Sequence, residues 1–346
     1  MSKNTKLFVE EYIAEDDTKL LNEFIENSED FSIEQRPDWY KKFPGKYFYI
    51  KSNNSIVAYV KTKEIKIGPL KFATINYAPG YHCQEDGIEI IRHVADYYKK
   101  KHFLYLSVQL GSPVSNITEY IERSINQFYN IKYFYKSGHA RSTIRIPLNT
   151  ELPEIMRSFR KGHKSDIKKA QKLLSVRPIE NEIELKEYYS VFNKMSRIKK
   201  VYESSTYDEI KALFQYLKKM NIGFVLGVYN DKDVCVGGVV IVSNGKGMRY
   251  YQGASDPDIR NIPILHLAIY KSIEICKQQS KSYLDLWGYN IYAKKGDAIS
   301  GINRFKKGFS SEITFFPKTM HFNLFPLGMY VFKLLARINS FIKTRR

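Results

Sequence analysis

One order of elements occurs twice in this chain, and that repetition limits the folds open to it. In the first half, Tyr47–Ser52 and Ile56–Thr62 read as strands joined by the turn Asn53-Asn54. Lys71–Tyr77 reads as a third strand, broken by Ala78-Pro79-Gly80. A helix from Gly87 to Lys101 follows, with Ile88, Ile91, Ala95 and Tyr98 on one face, and then the strand Phe103–Leu110. The second half runs in the same order. Phe224–Tyr229 and Val234–Val242 are strands around Asn230-Asp231-Lys232-Asp233, and Gly247–Gln252 is the third strand. The loop Ser255–Ile262 leads to a helix with Leu265, Ile269, Ile273 and Cys276 on one face, and Tyr283–Trp287 closes the set. Each copy spans about 60 residues, as read from the periodicity.

Two such copies predict two similar α/β domains, and 346 residues suffice for two cores. The expected first domain is 1–147, ending after the strand Ser142–Ile146. The second is 148–320, entered through helices from Leu152 to Leu217. Residues 321–346 form a basic amphipathic C-terminal helix. Its apolar face is Val331, Leu334, Leu335, Ile338, Phe341 and Ile342, and Lys333, Arg337 and Lys343 lie elsewhere. Such a helix packs on the first domain or lies on a membrane surface.

A meander feeding a helix and then a parallel strand is the acyl-CoA N-acyltransferase (GNAT-like) topology, with mixed, mainly antiparallel sheets. In that fold the helix N-terminus binds the pyrophosphate of coenzyme A through backbone N–H groups, which glycines make accessible. No glycine occurs between Ala254 and Trp287, and the loop carries Asp256, Asp258, Pro257 and Pro263. Coenzyme A is therefore demoted as donor, although Arg260 offers another way to hold a phosphate.

The formal net charge is +19, from 55 basic and 36 acidic residues, which favours anionic partners: RNA, an anionic membrane face or a phosphorylated substrate. The surplus is clustered. Arg157, Arg160, Lys161, Lys164, Lys168, Lys169 and Lys172 face one acid, Asp166. A second cluster is Lys333, Arg337, Lys343, Arg345 and Arg346. One-signed clusters point to an anion more than evenly spread charge does. Cys83, Cys235 and Cys276 are widely spaced and lack a CxxC, so they read as buried thiols of a reducing compartment, not as a metal site. No signal peptide and no membrane-length apolar run is visible. The expected location is cytoplasmic, with peripheral attachment to the inner membrane face left open.

The motifs resemble the Fem-type peptidoglycan-bridge aminoacyltransferases over nearly the whole chain. Gln35-Arg36-Pro37-Asp38-Trp39-Tyr40-Lys41-Lys42 is similar to the family's N-terminal Gln-x-x-x-Trp-x-x-Lys, and Tyr77-Ala78-Pro79-Gly80 to its strand end before the first helix. The segment from Phe159 to Ala170 resembles the basic helix opening domain two. Tyr251-Gln252-Gly253-Ala254-Ser255 resembles Tyr-x-Gly-Ser. Asp285-Leu286-Trp287-Gly288 resembles Asp-Leu-Gly-Gly with Trp in place of one glycine. Arg304-Phe305-Lys306-Lys307-Gly308-Phe309 is similar to Phe-Lys-x-x-Phe. The long coiled-coil arm of some members is missing, and the family's phosphate-holding Arg and Tyr find no clear match near Ser204–Asp208. Lys199, Lys200 and Tyr202 lie nearby as substitutes.

The resemblance implies transfer of an amino acid from aminoacyl-tRNA to an amine of a lipid-linked envelope precursor, without a bound cofactor. Two alternatives stay open. One is a coenzyme A-dependent N-acyltransferase acting on an amino sugar or envelope amine. The other is a non-catalytic RNA- or membrane-binding relative. An amine attacking an ester needs a cation or N–H for the tetrahedral oxyanion more than it needs a strong base. Lys306, in a loop between Phe305 and Phe309, is the expected catalytic cation, opposed by the reading of a surface lysine beside two core rings. Tyr251, at the end of the central strand, is placed to hydrogen-bond the acyl carbonyl, unless it is a core tyrosine. Phe305 is suited to stack on the terminal adenine. Arg304, Lys307 and Asp285 complete the donor side, with a turn role weighed for Asp285. Trp39, Lys42, Lys200 and Tyr202 are assigned to the acceptor, against a core Trp and surface residues. Arg160, Lys161, Lys164, Lys168 and Lys169 are assigned to phosphates or, as the plainer reading, to a solvated face. No metal is expected, and His163 and His266 read as surface or internally satisfied histidines.

Overall fold

A computed structural model describes residues 5–39, 45–134, 141–199, 205–259 and 261–326. The chain divides into two units. The first runs to His139 and resumes at Phe316; the second is Ala140–Phe315. In the first unit the order is β1 (Thr5–Glu10), α1 (Glu15–Asn27), β2 (Tyr47–Ser52), β3 (Ser55–Lys61), β4 (Lys63–Ile67), β5 (Leu70–Ile75), β6 (Gly80–Tyr81), α2 (Gln84–Lys100), β7 (Tyr105–Val108), α3 (Asn116–Asn126) and β8 (Ile131–Phe134). The second unit has β9 (Ser142–Pro147), α4 (Leu152–Ser158), α5 (Lys161–Gln171), β10 (Ser175–Pro178), α6 (Glu182–Ile198), α7 (Tyr207–Met220), β11 (Gly223–Tyr229), β12 (Cys235–Asn244), β13 (Gly247–Ser255), α8 (Ile264–Gln278), β14 (Tyr283–Asp285), α9 (Ala298–Lys307) and β15 (Ile313–Phe315). The strand β16 (Thr319–Asn323) belongs again to the first unit.

Local chemistry accounts for the boundaries. Asn53 and Asn54 both adopt positive φ, 49° and 60°, and this left-handed pair makes the tight hairpin between β2 and β3. Asn181 caps α6 by accepting from the N–H groups of Ile183 and Glu184. Thr206 and Glu209 form a capping box on α7, which ends at Asn221 in the left-handed conformation. The apolar stripe of α8, including Ile264, Leu267, Ala268, Ile269, Ile273 and Cys276, packs in one core with Val236, Val239 and Ile241 of β12.

The second unit is built on one seven-stranded sheet, in the order β10-β11-β12-β13-β14-β9-β15. β11, β12 and β13 are antiparallel, and β13 pairs parallel with β14, as the acyltransferase topology requires. The first unit departs from a simple meander. The sheet breaks after Lys61, giving a four-stranded sheet β1-β2-β3-β6 and a five-stranded sheet β4-β5-β7-β16-β8. β5 nevertheless pairs parallel with β7, across the helix α2, as β13 does with β14. The duplication therefore holds for the strand–helix–strand half of each copy, and the extra strand β4 is new.

The units also divide differently from the expected 1–147 and 148–320. The strand Ser142–Pro147 lies inside the second sheet, with Leu284 opposite Ile146 and Ile313 opposite Ile144. β16 lies between β7 and β8 in the first unit. Edge strands explain both exchanges: β9 covers the edge of β14, and β16 fills the space between two strands that would each expose an unpaired edge. The expected C-terminal helix 321–346 overlaps β16 at its start, and its residues 327–346 lie outside the described residues.

In the first unit β5 and β7 stay together to their ends. Phe72–Ile75 pair with Tyr105–Val108, Gln109 N–H donates to the Ile75 carbonyl at 3.0 Å, and Ala78 N–H donates to the Gln109 carbonyl at 3.0 Å. A Cβ on Gly111 would lie 2.4 Å from the Tyr77 carbonyl oxygen. Gly111→Ala should therefore destabilise the protein by roughly 1–3 kcal/mol, because backbone cannot yield as a side chain does. Gly162→Ala, with nothing within 4 Å of the added methyl, should be neutral or stabilising by up to about 1 kcal/mol. Urea melts of both variants check this contrast.

Candidate active site

The two parallel strand pairs differ at their ends. β13 pairs with β14 only at Met248–Leu284 and Arg249–Asp285. β14 then turns toward β9: Leu286 N–H donates to the Ile144 carbonyl at 2.9 Å, and Tyr289 N–H to the Ser142 carbonyl at 2.8 Å. β13 continues to Ser255, paired along its other edge with β12. The strands thus splay after Arg249.

Asp285 holds the splay point. It is fully buried and accepts from Thr143 Oγ1, from Arg145 Nε at 3.0 Å and from the Trp287 N–H at 2.7 Å. The last bond draws the chain into a turn in which Trp287 and Gly288 have φ of +53° and +44°. Trp287 occupies the position where the family pattern has glycine, and holding a left-handed Trp costs about 1–2 kcal/mol. The ring returns part of that cost: the guanidinium of buried Arg249 lies 4.5 Å from its centroid, and 5.7 Å from the Tyr251 centroid.

Lys306 closes the constellation. It lies in the last turn of α9, not in a loop as expected, and only 8% of it is exposed. Its Nζ donates to the Trp287 carbonyl and, at 2.9 Å, to the Gly288 carbonyl. Burial lowers its pKa to about 8, and the nearby Asp285 charge works in the opposite direction. An ammonium has three donors, so one remains for a substrate oxygen.

Tyr251 lies within β13, not at its end. It is the extra residue of a bulge, since Val240 faces Gln252 while Ile241 faces Tyr250. A bulge re-aims a side chain beside a site. Tyr250 instead packs against the core, and burial raises its pKa.

Of the donor-side residues, Arg304, Phe305 and Lys307 fall on α9, whereas Asp285 ends β14. Phe305 is half-buried, Arg304 and Lys307 are exposed, and Asp285 serves the turn. Arg160, Arg304 and Lys307 line one cavity of about 350 Å³ with Ser158, Ser310 and Ser311. A larger cavity, about 700 Å³, is lined by Arg160, Lys161, His163, Asp166, His266 and Arg304, among others. α5 buries His163, Ile167 and Ala170 and exposes Lys161, Lys168 and Lys169, while Lys164 Nζ donates to the Arg157 carbonyl at 3.0 Å. The two histidines pack on each other, with ring centroids 4.4 Å apart. Burial first, then His163, lowers the His266 pKa to about 4, against the opposing effect of Asp166.

On the acceptor side, Trp39 is 2% exposed and belongs to the first unit. Lys42, Lys200 and Tyr202, with Arg260, lie outside the described residues. Asp256 and Asp258, in the loop before α8, both pair with Lys194 at 2.7 Å. Sequence reasoning did not single out Thr143, Arg145 or Arg249. The signal for Arg249 was a charged residue next to aromatics in an otherwise apolar central strand.

No protein-family model matches the chain, and no curated protein matches it in sequence. Solved structures do share its fold. The crystal structure of FemX superposes with a TM-score of 0.79 at 11% identity, covering 94% of this chain and 99% of that one. L-PGS from Bacillus licheniformis gives a TM-score of 0.58 at 11% identity, covering 95% and 97%. A conserved protein of unknown function from Bacteroides thetaiotaomicron gives 0.51 at 10%, covering 81% and 83%. The Fem-type resemblance read from the motifs thus extends to the fold: this chain shares the tandem α/β architecture of FemX.

The depressed Lys306 pKa has a signature in stability. Between about 8 and the ordinary 10.5 the unfolded chain binds more protons at this residue than the folded one, so stability gains a rising contribution with pH in that window. Lys306→Met should remove that contribution. Paired urea melts across the window check it, and identical pH dependence in both proteins would contradict the lowered pKa.

Proposed function

We propose that the chain is an acyltransferase that moves an amino acid from aminoacyl-tRNA to an amine of a lipid-linked or amino-sugar-containing envelope precursor. The observation that carries the chemistry is the splay of β13 from β14 in the second unit, with one Lys306 donor left over at its apex. The tandem fold shared with the aminoacyltransferases FemX and L-PGS supports the class of reaction.

In this reading the acceptor amine attacks the ester carbonyl of the aminoacyl group. The C–N bond forms, the ester C–O bond breaks, the amine loses its proton to solvent, and the ribose oxygen leaves. The Lys306 ammonium faces the tetrahedral oxyanion and can protonate the departing oxygen, which a pKa near 8 favours. Tyr251, the bulge residue of β13, holds the acyl carbonyl. Phe305 stacks the terminal base, with Arg304 and Lys307 on backbone phosphates. Arg160, Lys161, Lys164, Lys168 and Lys169 extend that basic surface.

No cofactor is needed in this scheme. Both acids of the loop before α8 are held by Lys194, which leaves carboxylates where coenzyme A would put its pyrophosphate. The work would take place at the inner membrane face. No helix among the described residues is long and apolar enough to cross a membrane.

Two measurements test the reading. Incubation with labelled aminoacyl-tRNA or labelled acetyl-CoA should carry only the aminoacyl label into an amine-bearing envelope extract, and calorimetry should detect no tight binding of coenzyme A. A micromolar Kd would make coenzyme A the donor. Lys306→Met should lower transfer by more than about 100-fold, on the order of 3 kcal/mol, while the folded state persists. Activity within about twofold of the parent would remove Lys306 from the mechanism.

A further inference from the structure

We propose that His163, Asp166 and His266 form a binding site for a divalent transition metal of the zinc type, with its open position facing the adjoining cavity. The site adjoins the basic surface of Arg160, Lys161 and Arg304, and the proposal does not depend on which acyl donor the protein uses. His163 and Asp166 are three residues apart on α5 and therefore share a face. His266 comes from α8, which packs on α5. One ligand atom from each of the three lies within 4.8 Å of the others, and His266 Nε2 is 3.6 Å from Asp166 Oδ2. Bonds of about 2.0–2.2 Å in a tetrahedral site place ligand atoms roughly 3.3–3.6 Å apart, so small side-chain rotations close the set.

Two further features prepare His163 for this role. Its Nε2 is 2.8 Å from the Phe305 carbonyl, which only accepts, so Nε2 carries the hydrogen and the neutral ring keeps a bare Nδ1. A backbone carbonyl holding the distal N–H is the usual outer partner of a metal-bound imidazole. The ring also needs Gly308, because a Cβ there would lie 2.1 Å from its Nε2. Phe305 and Phe309, with centroids 4.9 and 5.9 Å from the His266 ring, fix the second imidazole. Two imidazoles and one carboxylate suit zinc, cobalt or nickel better than magnesium or calcium. They leave a dication with one net positive charge. Because Arg160, Lys161 and Arg304 share the cavity wall, the open position takes water or an anionic oxygen.

Titration of the tag-free, metal-stripped full chain with Co2+, followed by its visible absorption and by calorimetry, tests the assignment. One Co2+ per chain is expected, displaced by one Zn2+. Asp166→Asn, at a half-exposed position, should keep the fold by circular dichroism and weaken Co2+ binding about 100-fold or more, as should His266→Gln. The parent alone should gain melting temperature with Zn2+, and neither protein should gain it with Mg2+ or Ca2+. Parent binding no tighter than that of folded Asp166→Asn, or an equal gain with Mg2+, would overturn the site.

Discussion

The splayed strand pair of the second unit depends on one buried carboxylate. Asp285 is fully enclosed, and a lone ionised acid there would be prohibitive without partners. It has three: the Thr143 hydroxyl and the Arg145 guanidinium from β9, and the Trp287 N–H two residues ahead. The first two tie β14 to β9, and the third forces the turn at Trp287 and Gly288. That turn aims two carbonyls at Lys306. The carboxylate therefore fixes where β14 leaves β13 and where the cation sits. The energetic debt of a left-handed Trp and a desolvated Lys falls on one small region, as is common where a fold carries chemistry.

The two copies differ where their parallel strands end. Both place a strand before the helix parallel to a strand after it. In the first unit the pair stays hydrogen-bonded to its end, and Gly111 lets the chains approach too closely for any side chain. In the second, pairing stops after two residues and the strands part. The same topology thus yields a strand pair held to its end in one unit and a parted pair in the other.

Much of this was legible in the sequence. The strand–helix–strand order followed from periodicity and from Asn-rich turns, and the Asn53-Asn54 hairpin formed as its residues demand. Lys306 was legible through its aromatic flanks, and Asp285 through its place at a strand end. What stayed hidden depends on long-range pairing. Nothing local tells that Ser142–Pro147 joins a strand 140 residues away, or that β16 returns to the first unit, since each only fills an edge set by other segments. The helical state of Lys306 was missed because its helix opens with Ala298-Ile299-Ser300-Gly301, a weak start without a side-chain cap. The contact of His163 with His266 was hidden for the same reason: it is made by two helices about a hundred residues apart in sequence, and periodicity has no view of such pairs.

The central claim is that Asp285 and Lys306 act through one turn. A double-mutant cycle on the rate of aminoacyl transfer, with Asp285→Asn, Lys306→Met and the pair, measures this directly. If the carboxylate works by positioning the Lys306 cation, the double variant should be about as slow as Lys306→Met alone, because Asp285→Asn has nothing left to misplace. Fully additive losses in the double variant, with all three proteins folded, would show that the two residues act independently and would contradict the account.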